Sequence, residues 1–181
     1  MIRSGDSIRI LDYGRVWAGE RGYGMKLLFR QRFFSWFDSY DVFDEDGRTV
    51  YTVQGKLAWG HRLEIYDAQG RHLGTVKQEV LTFLPRFRLY VGEQLVGEVW
   101  KEFTFFRPSF KMDVRGWHIA GDILEWDYYI EDAMGRRVAG LSKQLFKLTD
   151  TYVLEIGNPE DALYVLMAAL AIDAAKCSSD N

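Results

Sequence analysis

The chain has 181 residues, 48% hydrophobic and 27% charged, which describes one globular domain with room for a full core and excludes a disordered or low-complexity chain. A net charge of −3 excludes the strongly basic footprint of a nucleic-acid binder. The single cysteine, Cys177, excludes an internal disulfide framework and fits a reducing compartment.

Residues 1–24 hold five glycines and no sustained periodicity. They read as a weakly ordered N-terminal extension to a single domain over 25–177. They lack the apolar core of a signal peptide, and no run reaches the ~18 apolar residues of a membrane span. The expectation is a soluble cytoplasmic protein, peripheral to a membrane at most.

From Lys26 to Ile156 the chain reads as strands. Leu63, Ile65 and Asp67 alternate with Arg62, Glu64 and Tyr66, and Phe87, Leu89 and Val91 with Arg86, Arg88 and Tyr90. Such alternation buries one face and wets the other. Val50-Tyr51-Thr52-Val53 has the β-branched and aromatic composition strands prefer. Gly-containing turns separate the runs at about 8–12 residues, the spacing of an all-β sandwich or barrel. One turn recurs: Asp67-Ala68-Gln69-Gly70-Arg71, Asp132-Ala133-Met134-Gly135-Arg136 and, more loosely, Asp44-Glu45-Asp46-Gly47-Arg48. It predicts a reused hairpin turn with aspartate at its start and glycine in the left-handed position.

The C-terminus breaks the pattern. Asn158-Pro159-Glu160-Asp161 is a helix start, with an N-cap, a first-turn proline and two acids. Residues 162–172, ALYVLMAALAI, then show no charge until Asp173. A helix apolar all round must be buried all round. Eleven residues rise only about 16 Å, too short to span a bilayer. The sequence therefore predicts a helix over about 159–176 enclosed by a closed antiparallel barrel, with alanines keeping it thin.

An ordered set of segments carries a family resemblance. It comprises Leu27-Leu28-Phe29-Arg30-Gln31-Arg32, Asp38-Ser39-Tyr40-Asp41-Val42-Phe43-Asp44-Glu45, Tyr51-Thr52-Val53-Gln54-Gly55, Ile65-Tyr66-Asp67-Ala68-Gln69-Gly70, Trp117, Asp150-Thr151-Tyr152-Val153-Leu154-Glu155-Ile156 and Ala171-Ile172-Asp173. Together they resemble the LURP-one-related family of the tubby C-terminal-like superfamily. The resemblance implies an all-β barrel of about twelve strands around a buried hydrophobic C-terminal helix. It also implies kinship with phosphoinositide-binding tubby-like domains and with phospholipid scramblases. It brings no catalytic residue with it.

Catalytic and metal motifs do not emerge. His61, His72 and His118 lack partners at metal-ligand spacing, and no nucleophile elbow, P-loop or dinucleotide fingerprint occurs. Against the acids Asp38, Asp41, Asp44, Glu45 and Asp46, an EF-hand register anchored on Gly47 puts valines at its first and last positions. No catalytic residue, cofactor or metal is expected.

The basic residues are more suggestive. Residues 71–111 carry seven Lys or Arg against four acids, and 121–161 carry nine acids against four bases. Arg86 and Arg88 share a strand face, and Lys101, Arg107 and Lys111 are interleaved with Phe103, Phe105, Phe106 and Phe110. Bases beside aromatics suit an anionic membrane surface. The expectation is a non-enzymatic binding or scaffold domain that docks an anionic lipid headgroup or another phosphorylated ligand on these five residues, without nucleic acid. The alternatives are a protein–protein module, marked by an exposed aromatic patch at Trp36, Phe37, Trp59 or Trp117, and an enzyme with a carboxylate cleft.

Overall fold

Alternating hydrophobicity becomes a barrel wall. The computed structural model describes residues 24–30, 39–56, 58–104, 109–123, 127–145 and 150–177; residues 1–23 of the expected N-terminal extension lie outside them. The strands are β1 (Met25–Arg30), β2 (Ser39–Phe43), β3 (Thr49–Lys56), β4 (Arg62–Asp67), β5 (His72–Gln78), β6 (Arg86–Val91), β7 (Gln94–Glu102), β8 (Ser109–Val114), β9 (His118–Asp122), β10 (Asp127–Glu131), β11 (Arg137–Leu145) and β12 (Asp150–Ile156). They form one sheet in the order β8-β7-β6-β5-β4-β3-β2-β1-β12-β11-β10-β9, every pair antiparallel. Among the described residues only β1 with β12 pairs out of chain order, and that pairing brings the sheet round.

Closure is nearly complete. The free edges of the sheet are β8 and β9, consecutive in the chain, and among the described residues no ladder joins them. A tight turn spans the seam instead, with Arg115 and Gly116 both at positive φ and Trp117 N–H donating to the Val114 carbonyl at 2.9 Å. Two-residue turns of this hand match the strand twist. Arg115 lies over the rings of Trp117 and Tyr164 and pairs with Asp161. The seam is thus fastened to the start of the helix.

The helix α1 (Ala162–Cys177) fills the barrel. A 3₁₀ turn at Pro159–Asp161 leads into it, and the Asn158 side chain caps that turn by accepting from Glu160 N–H at 3.1 Å. Ala162 and Val165 through Ala175 are buried without a break. The packing against β5, β6 and β7 is close. At Gly74 an added Cβ would lie 2.9 Å from the Tyr90 carbonyl oxygen and 3.0 Å from Met167 Sδ, so only glycine lets the helix lie this near.

The three aspartate turns are one structure. In each, the aspartate carboxylate accepts backbone N–H bonds of 2.8 to 3.0 Å from the residues two and four further on. Gly47, Gly70 and Gly135 take φ of +78°, +76° and +73°, and a register shift follows in each ladder. This is a type I turn closed by a glycine bulge. Arg71 and Arg136 clasp the aspartate of their own turn; Arg48 pairs with both Asp44 and Asp46.

Antiparallel order sends all these turns to one end of the barrel, with Gly92-Glu93, Arg115-Gly116 and the helix start. The other end carries the connections 58–61 and 79–85 and the C-terminus of α1.

Candidate functional site

Side chains directly opposite in an antiparallel ladder share a face. Phe87 and Leu89 of β6 are buried, so Arg86 and Arg88 point outward. Register carries that face across the sheet. Arg88 is opposite Lys77 on β5, Lys77 opposite Arg62 on β4, and Arg62 opposite Lys56 on β3. Four cations on four neighbouring strands stand in one row. On the other side Arg88 faces Glu98 of β7.

Acids are woven into the row. Arg62 pairs with Glu64 at 2.9 Å, with Lys56 at 3.9 Å from the same carboxylate. Arg88 holds Glu79 at 2.8 Å and Glu98 at 3.0 Å, and Arg86 reaches Glu98 at 3.1 Å. Burial pushes the Glu64 carboxyl up, but the Tyr66 hydroxyl, Arg62 and Lys56 outweigh it and hold it below the ordinary carboxylate value. Lys77 is exposed and has no carboxylate partner among the described residues. Five cations, counting Arg86, meet three acids, so the face stays positive although the chain is negative overall.

A trough of about 460 Å³ opens over this row, lined by Arg62, Lys77 and Arg88 below and by Trp59, Val80 and Leu81 at its rim. The two rim loops are braced. Gln78 N–H donates to the His61 carbonyl at 2.7 Å, and His61 N–H donates to Gln78 Oε1 at 3.0 Å. Glu79 N–H donates to the Arg86 carbonyl at 2.9 Å. Gly60, at φ +86°, lies so close to Val80 that an added Cβ would sit 2.4 Å from its Cγ1. The loops therefore touch.

The structure distributes the sequence-predicted residues unevenly. Arg86, Arg88 and Lys111 share the outer face, Lys111 through its register partner Trp100, which stands opposite Arg86. The Arg86 guanidinium lies over the Trp100 ring. Lys101 is opposite buried Phe110 and so takes the inward-facing parity at the barrel's end. Arg107 lies outside the described residues, as do Phe105, Phe106, Trp36 and Phe37. Trp117 is buried rather than exposed, packed edge-on to Tyr164 by the seam turn, whereas Trp59 stands in solvent. Lys56, Arg62 and Lys77 went unselected because the row they complete is formed by register across four strands. Hairpin counting from the Asp67 turn could have paired Arg62 with Lys77; nothing local pairs Lys77 with Arg88.

Other polar clusters are accounted for locally. Asp44 and Asp46 serve their own turn, and among the described residues no three His, Cys, Asp or Glu side chains gather as a metal site. His118 bonds Glu131 and His72 bonds Thr75, each at 3.1 Å. Inside the barrel, burial pushes the Asp173 carboxyl up to about 7 against the pull of Lys176. The hydroxyls of Tyr40 and Tyr128 feel its charge, but burial is the larger cause of their own rise.

No helix among the described residues is long and apolar enough to cross a membrane. A crystal structure of a protein from Arabidopsis thaliana shares the fold with a TM-score of 0.56 at 15% identity, over 87% of this chain and 93% of that one. The chain is 29% identical over 150 residues to the uncharacterized protein YxjI of Bacillus subtilis, covering 82% of this chain and 92% of that protein. The model of the LURP-one-related family matches residues 25–173, all twelve strands and most of the helix, and to that family the chain belongs.

Proposed function

We propose that the chain is a non-enzymatic binding module that holds phosphate groups, of a lipid headgroup or of a soluble molecule, in the trough over β4 to β6 and along the cation row that Lys56 of β3 extends. The carrying observation is the row Lys56–Arg62–Lys77–Arg88 with Lys77 free of any carboxylate among the described residues. Strands stand about 4.8 Å apart, so the row extends about 14 Å, room for more than one phosphate. Lys77 offers a mobile point charge, and the arginines offer planar donor forks that their glutamates hold in place. Binding would be electrostatic, with no covalent step. The acid of the trough, Glu79, is engaged by Arg88, and the strongly shifted carboxyl, Asp173, lies inside the barrel away from the trough. That separation supports binding over acid–base chemistry.

The test is calorimetric titration with inositol trisphosphate at low and high salt. Binding is expected at low salt, weakening as salt screens the row. Lys77→Glu is expected to cost about tenfold or more in affinity. Absence of binding at low salt, or equal affinity in parent and variant, overturns the reading.

A further inference from the structure

The rim of the trough is apolar and almost wholly in solvent. Trp59 is 91% exposed, Leu81 98%, Phe83 93%, and Phe103, at the same end of the barrel, 67%. Single exposed hydrophobes are ordinary; four large ones at one end of a barrel are not. Nor are the first three on loose tips. His61 of the first loop is bonded to Gln78 of β5, Glu79 and Pro85 of the second loop are bonded to Arg86 and Lys101, and the Thr82 hydroxyl further fixes the second loop by donating to the Glu79 carbonyl at 3.0 Å. The backbone holds these side chains outward.

We propose that Trp59, Leu81 and Phe83 insert into the interfacial layer of an anionic bilayer while Lys56, Arg62, Lys77 and Arg88 engage headgroup phosphates behind them. This rests on the phosphate-binding reading and names its source as lipid. Aromatic and aliphatic tips backed by cations are the composition of membrane-surface segments. The core of a protein–protein interface is instead depleted of charge. Each cation near an anionic surface adds only about fivefold in binding, and here acids offset several of them. Stable attachment takes a second signal, and the apolar rim supplies it. The same arrangement explains why the rim stays exposed beside a positive trough.

The experiment is co-sedimentation of the full chain with vesicles of phosphatidylcholine alone and of phosphatidylcholine with phosphatidylserine. Parent protein is expected to bind the mixed vesicles. The triple variant Trp59→Ser, Leu81→Ser, Phe83→Ser alters only solvent-facing side chains, so it should fold. It is expected to bind mixed vesicles at least about tenfold more weakly, and the single variant Phe83→Ser, which lies outside the trough lining, is expected to weaken vesicle binding while keeping its affinity for inositol trisphosphate. Trp59 fluorescence should shift to the blue on mixed vesicles, and Trp59→Phe should abolish that shift. Equal vesicle binding by the triple variant overturns insertion and leaves phosphate binding standing. Inositol trisphosphate binding without vesicle binding by the parent does the same. Loss of both ligands in the parent overturns both readings. A parent that is dimeric through these side chains, and monomeric in the triple variant, overturns the bilayer in favour of self-association.

Discussion

The two ends of the barrel solve opposite problems. At the turn end, the aspartate turns and the helix cap are satisfied within a few residues, and the Arg115–Asp161 pair is the long-range tie. Aspartates accept their own turn's amides, arginines clasp those aspartates, and Asn158 caps the entry to the helix. At the loop end, cations gather from four strands, large apolar side chains face water, and α1 ends beside a buried acid. One end is locally satisfied and the other is assembled at long range with surface left uncovered. The contrast sets local anchoring at the first end against the proposed binding face at the second.

Both ends depend on the helix between them, so the largest effect should come from its middle. Ala169 is buried against the barrel wall. Ala169→Asp would place a charge there with no partner, at a cost of several kcal/mol or more. Thermal melting followed by circular dichroism is expected to lose its cooperative transition. A soluble variant melting near the parent temperature would mean that the barrel does not need a fully apolar helix.

Acidity should act on the two ends with opposite signs. Asp132 is lowered by the backbone N–H and guanidinium of Arg136; Asp67 is lowered by Arg71 and Gln69 despite desolvation. Their contribution is present above the ordinary value of 3.8 and lost as pH falls through their lower folded values. Asp173 is raised from 3.8 to about 7 by burial, with Lys176 opposing, and the hydroxyls of Tyr40 and Tyr128 share its surroundings. Between those values the folded chain keeps a proton that the unfolded chain has released. Stability therefore falls as pH rises through that window, by up to about 1.4 kcal/mol per pH unit. Urea denaturation at several pH values should show this decline, and Asp173→Asn should flatten it. An unchanged slope in Asp173→Asn would assign the pH response elsewhere.

The same contrast explains what the sequence reveals. Alternation at Leu63–Ile65 and Phe87–Leu89, the three Asp…Gly-Arg turns and the uncharged helix are local patterns, and each reappears as expected. Nearly all of the turn end was therefore legible. The loop end was legible only in part. Arg86 and Arg88 stood out because they are two residues apart on one strand. Lys56, Arg62 and Lys77 did not, because register between β5 and β6 passes through the seven-residue connection 79–85, whose path no turn motif specifies. Lys101 looks like a member of the basic face by sequence proximity; strand parity turns it the other way.

A smaller effect would sharpen the local character of the turn end. Gly135 sits at φ +73° with open space around its would-be Cβ, so Gly135→Ala changes backbone strain alone. The expected cost is about 1–2 kcal/mol, with Gly135→Asn milder because asparagine tolerates the left-handed region. Denaturant midpoints should fall without any change in inositol trisphosphate affinity. A loss of affinity would couple the two ends.

The smallest effect on stability should be the most telling for recognition. Glu98 accepts from Arg86 at 3.1 Å and from Arg88 at 3.0 Å, so its single negative charge is shared between two of the outward cations. Glu98→Gln keeps the shape and a hydrogen-bonding oxygen but removes the negative charge. If the outer face works by attracting phosphate, the two arginines should then hold an anion more firmly. Affinity for inositol trisphosphate should rise several-fold at low salt, and the gain should shrink as salt is added. The melting temperature should move less than in Gly135→Ala, because exposed ion pairs contribute little to stability. Lys77→Glu and Glu98→Gln thus push binding in opposite directions from the two strands that flank β6 while the fold stays as it is. If both variants weaken binding, the arginines need Glu98 to orient them, and their alignment rather than their net charge would be what the trough offers its ligand.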